Sequence, residues 1–333
     1  MFYRRDIIKG TVCSIVALGA VAAGFVATGA FAQGYPSSPV RLISPWPAGG
    51  PADAIGQPLA DRLSQALGQP VVFEHHPGSN GTIATNLVAN AKPDGYTLLL
   101  SHAGPTAISP AVQDTLQYDS VEDFAHIVRV AEGPVLFAAR GDLPIDSIPE
   151  LIEYAKENPG DLTYGSVGIG STVHLAGELF KLEAGIDLLH VPYTGFAPNV
   201  ADILGGRIDL TILGIGPLLP HIESGDIKPL AVSTGERSTL LPDVPGMADA
   251  LPGYDVSTWY GLAAPSGTPD DIINLLASTV DEIFQDEKLS ARIQTGSGMA
   301  TVTGDSPAAH SQRIKEEIEQ WRRVVEEAGI VAE

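Results

Sequence analysis

The apolar residues of the first third of the chain follow two patterns that alternate along the sequence. Continuous apolar runs at 40–44, 71–74 and 96–100 predict buried strands. Between these runs, apolar residues three or four positions apart over 55–67 and 82–91 predict helices. The order strand, helix, strand, helix, strand is typical of a parallel sheet covered by helices.

A second unit of alternating strands and helices follows residue 134. Its predicted helices lie at 147–157, 172–184, up to 204 and 217–224, and its predicted strands at 161–163, 188–191, 208–213 and 228–233. Residues 103–132 show less regular periodicity, and we assign no elements to them. Three more helices are predicted at 269–284, 287–294 and 306–328.

Two apolar segments, 135–139 and 255–264, are candidate crossings between these units. Two α/β units joined by two crossings predict a hinged pair of lobes with a cleft between them. We place the first lobe at 33–134 plus 260–333 and the second at 135–259. The predicted fold class is therefore α/β, with a mostly parallel sheet flanked by helices in each lobe.

The stretch YGSVGIGSTVHLAGE has the composition of an anion site. Gly165, Gly168 and Gly170 fall between a predicted strand and a predicted helix, where they let the backbone turn tightly and approach a ligand. Ser171 or Thr172 can cap the helix, which leaves its first N–H groups pointing outward. These donors and the positive end of the helix dipole favour a bound carboxylate or phosphate. The alternative is a well-capped turn that binds nothing.

The spacing of these glycines excludes the common nucleotide motifs. Gly165 and Gly170 flank four residues as in a phosphate-binding P-loop, but Ser171 stands where that motif has a lysine. The order G-x-x-G-x-G also differs from the dinucleotide fingerprint. The chain contains no G-x-S-x-G sequence, which is the nucleophile elbow of α/β hydrolases.

A second glycine loop, at 45–53, precedes the predicted helix 55–67, and Asp53 is placed as its N-cap. A third glycine turn, at 76–81, opens the predicted helix 82–91. The chain thus repeats a unit of strand, glycine loop and helix N-terminus.

Residues 1–32 have the composition of an export signal. Arg4 and Arg5 precede an apolar run over 11–31, and the small-x-small pattern AFA ends at Ala32. We therefore expect cleavage near Ala32 and a periplasmic location. The Gly and Ala content and the cleavage pattern favour export over a retained membrane span. The paired arginines also fit a twin-arginine signal, and the choice between this route and Sec export stays open.

Charge and cysteine content exclude several kinds of partner and chemistry. The formal net charge is −21, from 19 Lys and Arg against 40 Asp and Glu, which disfavours binding to nucleic acid or to an anionic membrane. A carboxylate ligand meets this unfavourable field, so its site must use local backbone donors. The only cysteine, Cys13, lies in the predicted signal, so the exported protein has no disulfide and no cysteine nucleophile.

Several stretches of the chain resemble one family. PWPAGGPAD, HHPGSNGTIA, YGSVGIGSTVHLAGE, HVPYTGFAPNVADILGGRIDL, LPDVPGMADALPG and STWYGLAAPSGTP occur in the order found in the tripartite tricarboxylate transporter solute receptors, also called Bug-type periplasmic binding proteins. The resemblance implies a two-lobed, Venus-flytrap α/β fold and a small organic acid bound between the lobes. It also implies delivery of that acid to the membrane components of a tripartite tricarboxylate-type transporter. We expect a monomer with no enzymatic activity and no cofactor.

The resemblance also implies which residues contact the ligand. They are Trp46, Pro47, Ala48, Gly49 and Gly50 of the first loop with Asp53 behind it, Gly165, Ser166, Gly168, Gly170, Ser171 and Thr172 of the second, and Pro192, Tyr193 and Gly195 of a VPYxG turn. In similar proteins the carboxylate is held by backbone and hydroxyl groups, partly through ordered water, and not by an arginine clamp. We add His102, which follows the strand 96–100, and Leu213.

The chain departs from the family pattern at three places. Trp46 stands where the family usually has phenylalanine, residues 75–81 replace an NRPGAGG-like turn, and residues 212–214 replace an FDN-like stretch. Loss of that acidic position argues against an ammonium group on the ligand, because an ammonium needs a carboxylate partner. We therefore expect a carboxylate without an ammonium, with an apolar or aromatic body against Trp46 and Leu213.

Two other functions stay open at this point. Serines, histidines and acids are abundant, so an exported α/β hydrolase or esterase is an alternative, and a ligand sensor not coupled to transport is compatible with the same fold. The histidines do not predict a metal site. His75 and His76 are too close together to chelate without a third ligand, and His174 and Glu178 are expected to interact along a helix face.

Overall fold

The computed structural model describes residues 34–113 and 115–328. Its strands are β1 (Val40–Ser44), β2 (Val71–His75), β3 (Thr97–His102), β4 (Phe124–Arg140), β5 (Thr163–Ser166), β6 (Leu189–Pro192), β7 (Leu210–Gly214), β8 (Ile227–Val232), β9 (Ser257–Pro265) and β10 (Ala300–Thr301). Its α-helices are α1 (Pro51–Leu67), α2 (Thr82–Ala89), α3 (Ser109–Val112), α4 (Ile148–Glu157), α5 (Thr172–Ala184), α6 (Phe196–Leu204), α7 (Leu219–Glu223), α8 (Asp270–Phe284), α9 (Glu287–Ser297) and α10 (Pro307–Ala328). The predicted export signal and Cys13 lie outside the described residues. Within those residues, no helix is both long and apolar enough to cross a lipid bilayer.

The first lobe is built on β1, which pairs in parallel with both β2 and β3. Strand β9 then runs antiparallel between β3 and β4. The parallel pairing follows from the alternation of strands and helices, because a helix between two strands returns the chain to the same edge of the sheet. The loops that leave β1 and β2 therefore lie side by side at one edge.

The second lobe repeats this arrangement around β5, which pairs in parallel with β6 and β7. Strand β4 lies antiparallel to β7 and β8. The predicted α/β fold class is confirmed. The sheets are mixed rather than mostly parallel, because the two crossing strands, β4 and β9, run against their neighbours. The lobe limits given above stay a prediction.

Strand β4 is 17 residues long and takes part in both lobes. Residues 124–134 pair with β9, whereas residues 135–140 pair with β7 and β8. The predicted strand 135–139 was too short, because Gly133 and Pro134 resemble the end of a strand in the sequence. In the structure they lie where the partner strands change, a place that tolerates a residue without an N–H.

The unassigned segment 103–132 contains a π-helical turn at Gly104–Ile108, the four-residue helix α3 and the first half of β4. Such short elements contain too few turns to produce a visible period. The predicted helix 217–224 is likewise divided into a 3₁₀ turn at Gly216–Leu218 and the five-residue α7.

One connected hydrophobic core extends through both lobes. Leu42, Ile55 and Leu98 in the first lobe and Tyr164 and Phe180 in the second are all less than 2% exposed. Burying a side chain of this size stabilises the fold by about 1.5–3 kcal/mol. The buried residues of β4 and β9 continue the core from one lobe to the other, so the two crossings are themselves buried.

Candidate functional site

Four loops at the carboxyl ends of parallel strands border a space between the lobes. The loops 45–50 and 76–81 belong to the first lobe, and the loops 167–171 and 193–195 belong to the second. We call this space, of about 600 Å³, the outer cleft. It is lined by Pro45, Trp46, Pro47, Pro77, Gly78, Ser79, Asn80, Gly81, Gln113, Val167, Gly168, Ile169, Pro192, Tyr193 and Thr194. Ligands of α/β proteins commonly bind at this edge of the sheet.

A second space, the inner cavity, is lined by residues of both lobes. They are Trp46, Pro51, His102, Val135, Val167, Ser171, Thr172, Val173, Phe196, Gly214, Thr258, Tyr260 and Met299. Trp46 and Val167 line both spaces, so the inner cavity adjoins the outer cleft. Its free volume is about 20 Å³, which is room for about one water molecule. An organic acid therefore enters only when the lobes part or the wall side chains move.

The N-terminus of α5 faces the inner cavity. Ser171 is the N-cap, since its Oγ accepts a hydrogen bond from His174 N at 3.2 Å, and it also donates to Gly168 O at 2.6 Å. The first-turn amides of Thr172 and Val173 have no protein partner among the described residues, and both residues line the inner cavity. The predicted cap of this helix is therefore Ser171 rather than Thr172.

Two stacked histidines support the 165–171 loop from behind. The Nδ1 atom of His174 accepts from Gly170 N at 3.2 Å, and the Nε2 atom of His190 lies 2.6 Å from Ser166 Oγ. The two rings stack with centroids 4.2 Å apart. Burial lowers the pKa of His174, and burial together with the neighbouring His174 lowers the pKa of His190 to about 3. Both rings are thus neutral at pH 7 and hold the loop through hydrogen bonds, not charge.

Glu178 forms no hydrogen bond with His174, although its charge acts on that ring and raises its pKa against the larger effect of burial. Its Oε1 accepts from the hydroxyl of Tyr164 at 2.6 Å, and its Oε2 lies 3.0 Å from Lys181 Nζ. Tyr164 is fully buried, so its hydroxyl needs a partner, and Glu178 is the acidic group that reaches it. His190, which contacts Tyr164 through a ring stack at 4.8 Å, had no recognisable signal in the sequence.

Asp53 is not the N-cap of α1, contrary to our prediction. The N-cap is Gly50, because Pro51 fits the first helical position, and Asp53 lies in the first turn. Its Oδ2 accepts from Gly49 N at 2.6 Å. Its Oδ1 lies 3.2 Å from His75 Nε2 but is not aligned for a hydrogen bond. A carboxylate of the chain itself therefore occupies this end of α1.

Trp46 forms the boundary between the inner cavity and the outer cleft. Its side chain is 6% exposed and packs edge to face on His102, with ring centroids 5.1 Å apart. The indole Nε1 is buried, and no acceptor among the described residues pairs with it. Since a buried N–H usually has a partner, this donor is available to a ligand.

His102 belongs to a chain of hydrogen bonds that joins the lobes. Its Nδ1 accepts from Gly104 N at 3.0 Å, so the proton is on Nε2, which lies 3.2 Å from Thr258 Oγ1. Thr258 in turn lies 3.5 Å from the Thr172 hydroxyl of the second lobe. Burial lowers the pKa of His102 to about 3, so the ring is neutral. We expected His102 at the cleft edge, and it lies in the wall of the inner cavity.

Two of the predicted glycines, Gly50 and Gly195, permit close approach of the lobes and do not line the cavities. A Cβ on Gly50 would lie 3.1 Å from the ring of Phe196, and one on Gly195 would lie 2.9 Å from Pro47. In both cases the contact joins one lobe to the other. These positions therefore favour glycine because the lobes meet there.

The predicted site residues thus fall into two sets. Trp46, Pro47, His102, Gly168, Ser171, Thr172, Pro192 and Tyr193 line the outer cleft or the inner cavity, whereas Ala48, Gly49, Gly50, Asp53, Gly165, Ser166, Gly170, Gly195 and Leu213 line neither. Leu213 is fully buried, and its neighbour Gly214 lines the inner cavity instead. Tyr193 lines the outer cleft, with its hydroxyl 2.9 Å from Asp202 Oδ2.

The sequence did not indicate part of the cavity wall. The inner cavity is also lined by Phe196, Thr258, Tyr260 and Met299. All of these except Phe196 are distant from the glycine loops in sequence. Thr258 and Tyr260 lie on β9, and a crossing strand carries no signal of which side chain will face a cavity. Only the pairing of β9 with β4 and β3 brings them to it.

No Asp, Glu, Lys or Arg is among the described residues that line either space. His102, which lines the inner cavity, is neutral. Likewise, within 34–113 and 115–328 no group of three His, Cys, Asp or Glu side chains is placed to hold a metal ion. The site therefore offers hydrogen-bond donors and a helix dipole to an anion, but no cation.

Comparison with known sequences gives a clear result. Residues 55–330 match the family model described as tripartite tricarboxylate transporter family receptor. Among curated proteins, the chain is 35% identical over 312 residues to protein BugT of Bordetella pertussis, which covers 93% of this chain and 95% of BugT.

Solved structures agree with the sequence comparison. The R. palustris protein Rpa4515, solved with adipate, is 35% identical, with a TM-score of 0.84 over 89% of this chain and 99% of that protein. MatC from Rhodopseudomonas palustris, solved with bound malate, is 30% identical, with a TM-score of 0.82 over 87% of this chain and 100% of MatC.

Proposed function

This chain belongs to the tripartite tricarboxylate transporter receptor family, and from that membership we propose that it is a periplasmic solute-binding protein that captures a small organic carboxylate between its two lobes. The related structures that hold adipate and malate support a carboxylate as ligand. The observation in this chain that carries the proposal is the N-terminus of α5, where Thr172 and Val173 line the inner cavity and their amides have no protein partner among the described residues.

The carboxylate is held by neutral donors in this proposal. Its oxygens accept from the amides of Thr172 and Val173 and from the hydroxyl of Thr172, at the positive end of the α5 dipole. His102 and Thr258 position the Thr172 hydroxyl through the chain of hydrogen bonds described above. Because the surroundings are buried, each of these bonds is stronger than it would be in water.

Closure of the lobes follows from contacts on both sides of the ligand. The carboxylate contacts α5 of the second lobe, and the body of the acid contacts Trp46 of the first. A ligand that touches both lobes only when they are closed shifts the population toward the closed form. We propose that the protein acts as a monomer without turning the ligand over, and that the closed form delivers the acid to the membrane components of a tripartite transporter.

The proposed periplasmic location follows from membership of this receptor family. We propose that residues 1–32 are the export signal and are removed near Ala32. The N-terminal sequence of protein recovered from the periplasm tests this directly, and a retained residue 1 contradicts it.

A thermal-unfolding screen of the exported protein tests the proposed function. The panel contains mono-, di- and tricarboxylates, each beside its amide analogue as a matched uncharged control. An acid at 100 times its Kd stabilises the folded state by about 2.7 kcal/mol, which raises Tm measurably, whereas its amide leaves Tm unchanged. Native mass spectrometry first establishes that no ligand was carried over. Equal shifts with acid and amide, or no shift from any acid on ligand-free protein, contradict the proposal.

A further inference from the structure

The donors at the site are enough for one carboxylate. The α5 N-terminus presents the amides of Thr172 and Val173 together with the Thr172 hydroxyl. Three of the other polar side chains of the inner cavity, Ser171, His102 and Thr258, are already paired. Ser171 bonds to Gly168 and to His174, and His102 bonds to Gly104 and to Thr258.

The facing helix does not offer an equivalent second site. The carboxylate of Asp53 accepts from Gly49 N and lies in the first turn of α1. It therefore occupies a donor at that helix end and repels a second anion. No Lys or Arg among the described residues lines either space to offset this repulsion.

The walls of the inner cavity are mainly apolar. Pro51, Tyr260 and Met299 of the first lobe face Val135, Val173 and Phe196 of the second. A charged group placed among these side chains loses its hydration without gaining a partner, which disfavours its binding. The body of the ligand is therefore better matched by an uncharged chain or ring.

Trp46 adds one further requirement. Its indole Nε1 is buried without an acceptor, in a side chain that is 6% exposed and borders both spaces. An indole N–H can only donate, so it favours a ligand that places a hydrogen-bond acceptor beside it. Because no Lys or Arg among the described residues lines either space, a neutral hydroxyl or carbonyl oxygen meets this need without burying a second charge. Leaving this donor unsatisfied in a closed complex weakens binding of a ligand that has no such acceptor.

From these contacts we propose that the ligand is a monocarboxylate with an uncharged, largely apolar body and a neutral hydrogen-bond acceptor, and that Trp46 is the residue that selects this acceptor. The inference rests on the proposed carboxylate-binding function and narrows it to one class of acid. It separates this chain from its relative that holds adipate, a dicarboxylate, so adipate is the decisive competitor.

Two matched series of acids test the inference. Hexanoate, 6-hydroxyhexanoate and adipate differ only at the end far from the first carboxylate, as do benzoate, 4-hydroxybenzoate and terephthalate. Kd is measured by calorimetry for all six acids on the wild-type protein and on Trp46→Phe, which keeps an aromatic ring but removes the N–H. In at least one series we expect the hydroxy acid to bind at least 10-fold more tightly than the dicarboxylate and several-fold more tightly than the acid with no polar group.

The variant separates selection by the indole N–H from a general effect on the site. Trp46→Phe should weaken binding of the hydroxy acid several-fold more than binding of the unsubstituted acid, so that the ratio of their two Kd values falls toward one. The inference is overturned if the dicarboxylate binds most tightly in both series, or if the variant weakens the hydroxy and unsubstituted acids equally. Those results leave the carboxylate-binding function intact. Binding of none of the six acids, when other carboxylates raise Tm in the screen, overturns the inference alone, whereas no response to any acid overturns both.

Discussion

At the scale of single residues, the site depends on a few neutral donors in a protein whose overall charge is −21. Thr172 is 2% exposed and lines the inner cavity, and in the proposed site it offers both its amide and its hydroxyl to the ligand. Because no cation lines the cavity among the described residues, the affinity for an anion must respond strongly to one added negative charge.

Substitution of Thr172 tests this dependence. We expect Thr172→Asp to weaken carboxylate binding at least 100-fold, about 2.8 kcal/mol, because a second carboxylate meets the first at the same donors. Thr172→Asn is the matched control, since Asn has the shape of Asp without its charge, and it should lose much less affinity. Calorimetry at low and at high salt measures the Kd of each variant. Equal losses in both variants would show that shape, not charge, is responsible and would place the carboxylate elsewhere.

At the scale of elements, the two lobes approach each other through the starts of two helices. Gly50, the N-cap of α1, faces Phe196, the first residue of α6, and a Cβ on Gly50 would lie 3.1 Å from its ring. The backbone of Gly50 is extended, with φ −118°, so alanine fits the conformation and only the contact across the lobes changes.

Gly50→Ala should therefore hinder closure. We expect the Kd of the best-binding acid to rise by roughly 3- to 10-fold, since the added methyl overpacks a close contact. Small-angle scattering should show that the ligand reduces the radius of gyration of this variant less than that of the wild type. Adding Phe196→Leu to Gly50→Ala relieves the contact and should recover part of the closure. An unchanged Kd and radius of gyration in the single variant would mean that this contact does not limit closure.

At the scale of the whole molecule, the described residues include several histidines that are buried and neutral. Burial lowers the pKa of His102 and His190 to about 3 and that of His126 to about 4, and it also lowers the pKa of His310. In the unfolded chain these groups have a pKa of about 6.5, so below that pH the unfolded state binds more protons than the folded state. The contribution of these histidines to stability is therefore fully present above pH 6.5 and is lost progressively as the pH is lowered toward 4.

Urea unfolding at pH 7 and pH 5 measures this loss. For His126 alone, the drop from pH 7 to pH 5 corresponds to a loss on the order of 2 kcal/mol in the free energy of unfolding. In His126→Phe, the slope of the free energy of unfolding against pH should be smaller below pH 6.5, by the equivalent of about one bound proton. This change in slope is expected whatever the stability of the variant at pH 7. The same slope in variant and wild type would show that His126 titrates normally in the folded state.

Much of this architecture follows from the sequence alone. The alternation of apolar runs and helical periods predicted the parallel pairs of both lobes, because these periods depend only on local backbone geometry. The glycines before Ser171 and the serine itself predicted a helix N-terminus with open amides, because turn and cap preferences are also local. Family membership followed from several such stretches in order.

What only the tertiary structure decided depends on contacts between distant parts of the chain. It shows that His190 stacks on His174, and that Thr258 and Tyr260 on β9 reach the inner cavity. None of these contacts is encoded by spacing, because each depends on how strands far apart in sequence pair and on how the lobes close. The sequence thus determined the capped start of α5, and the packing of the two lobes decided which neutral groups surround it.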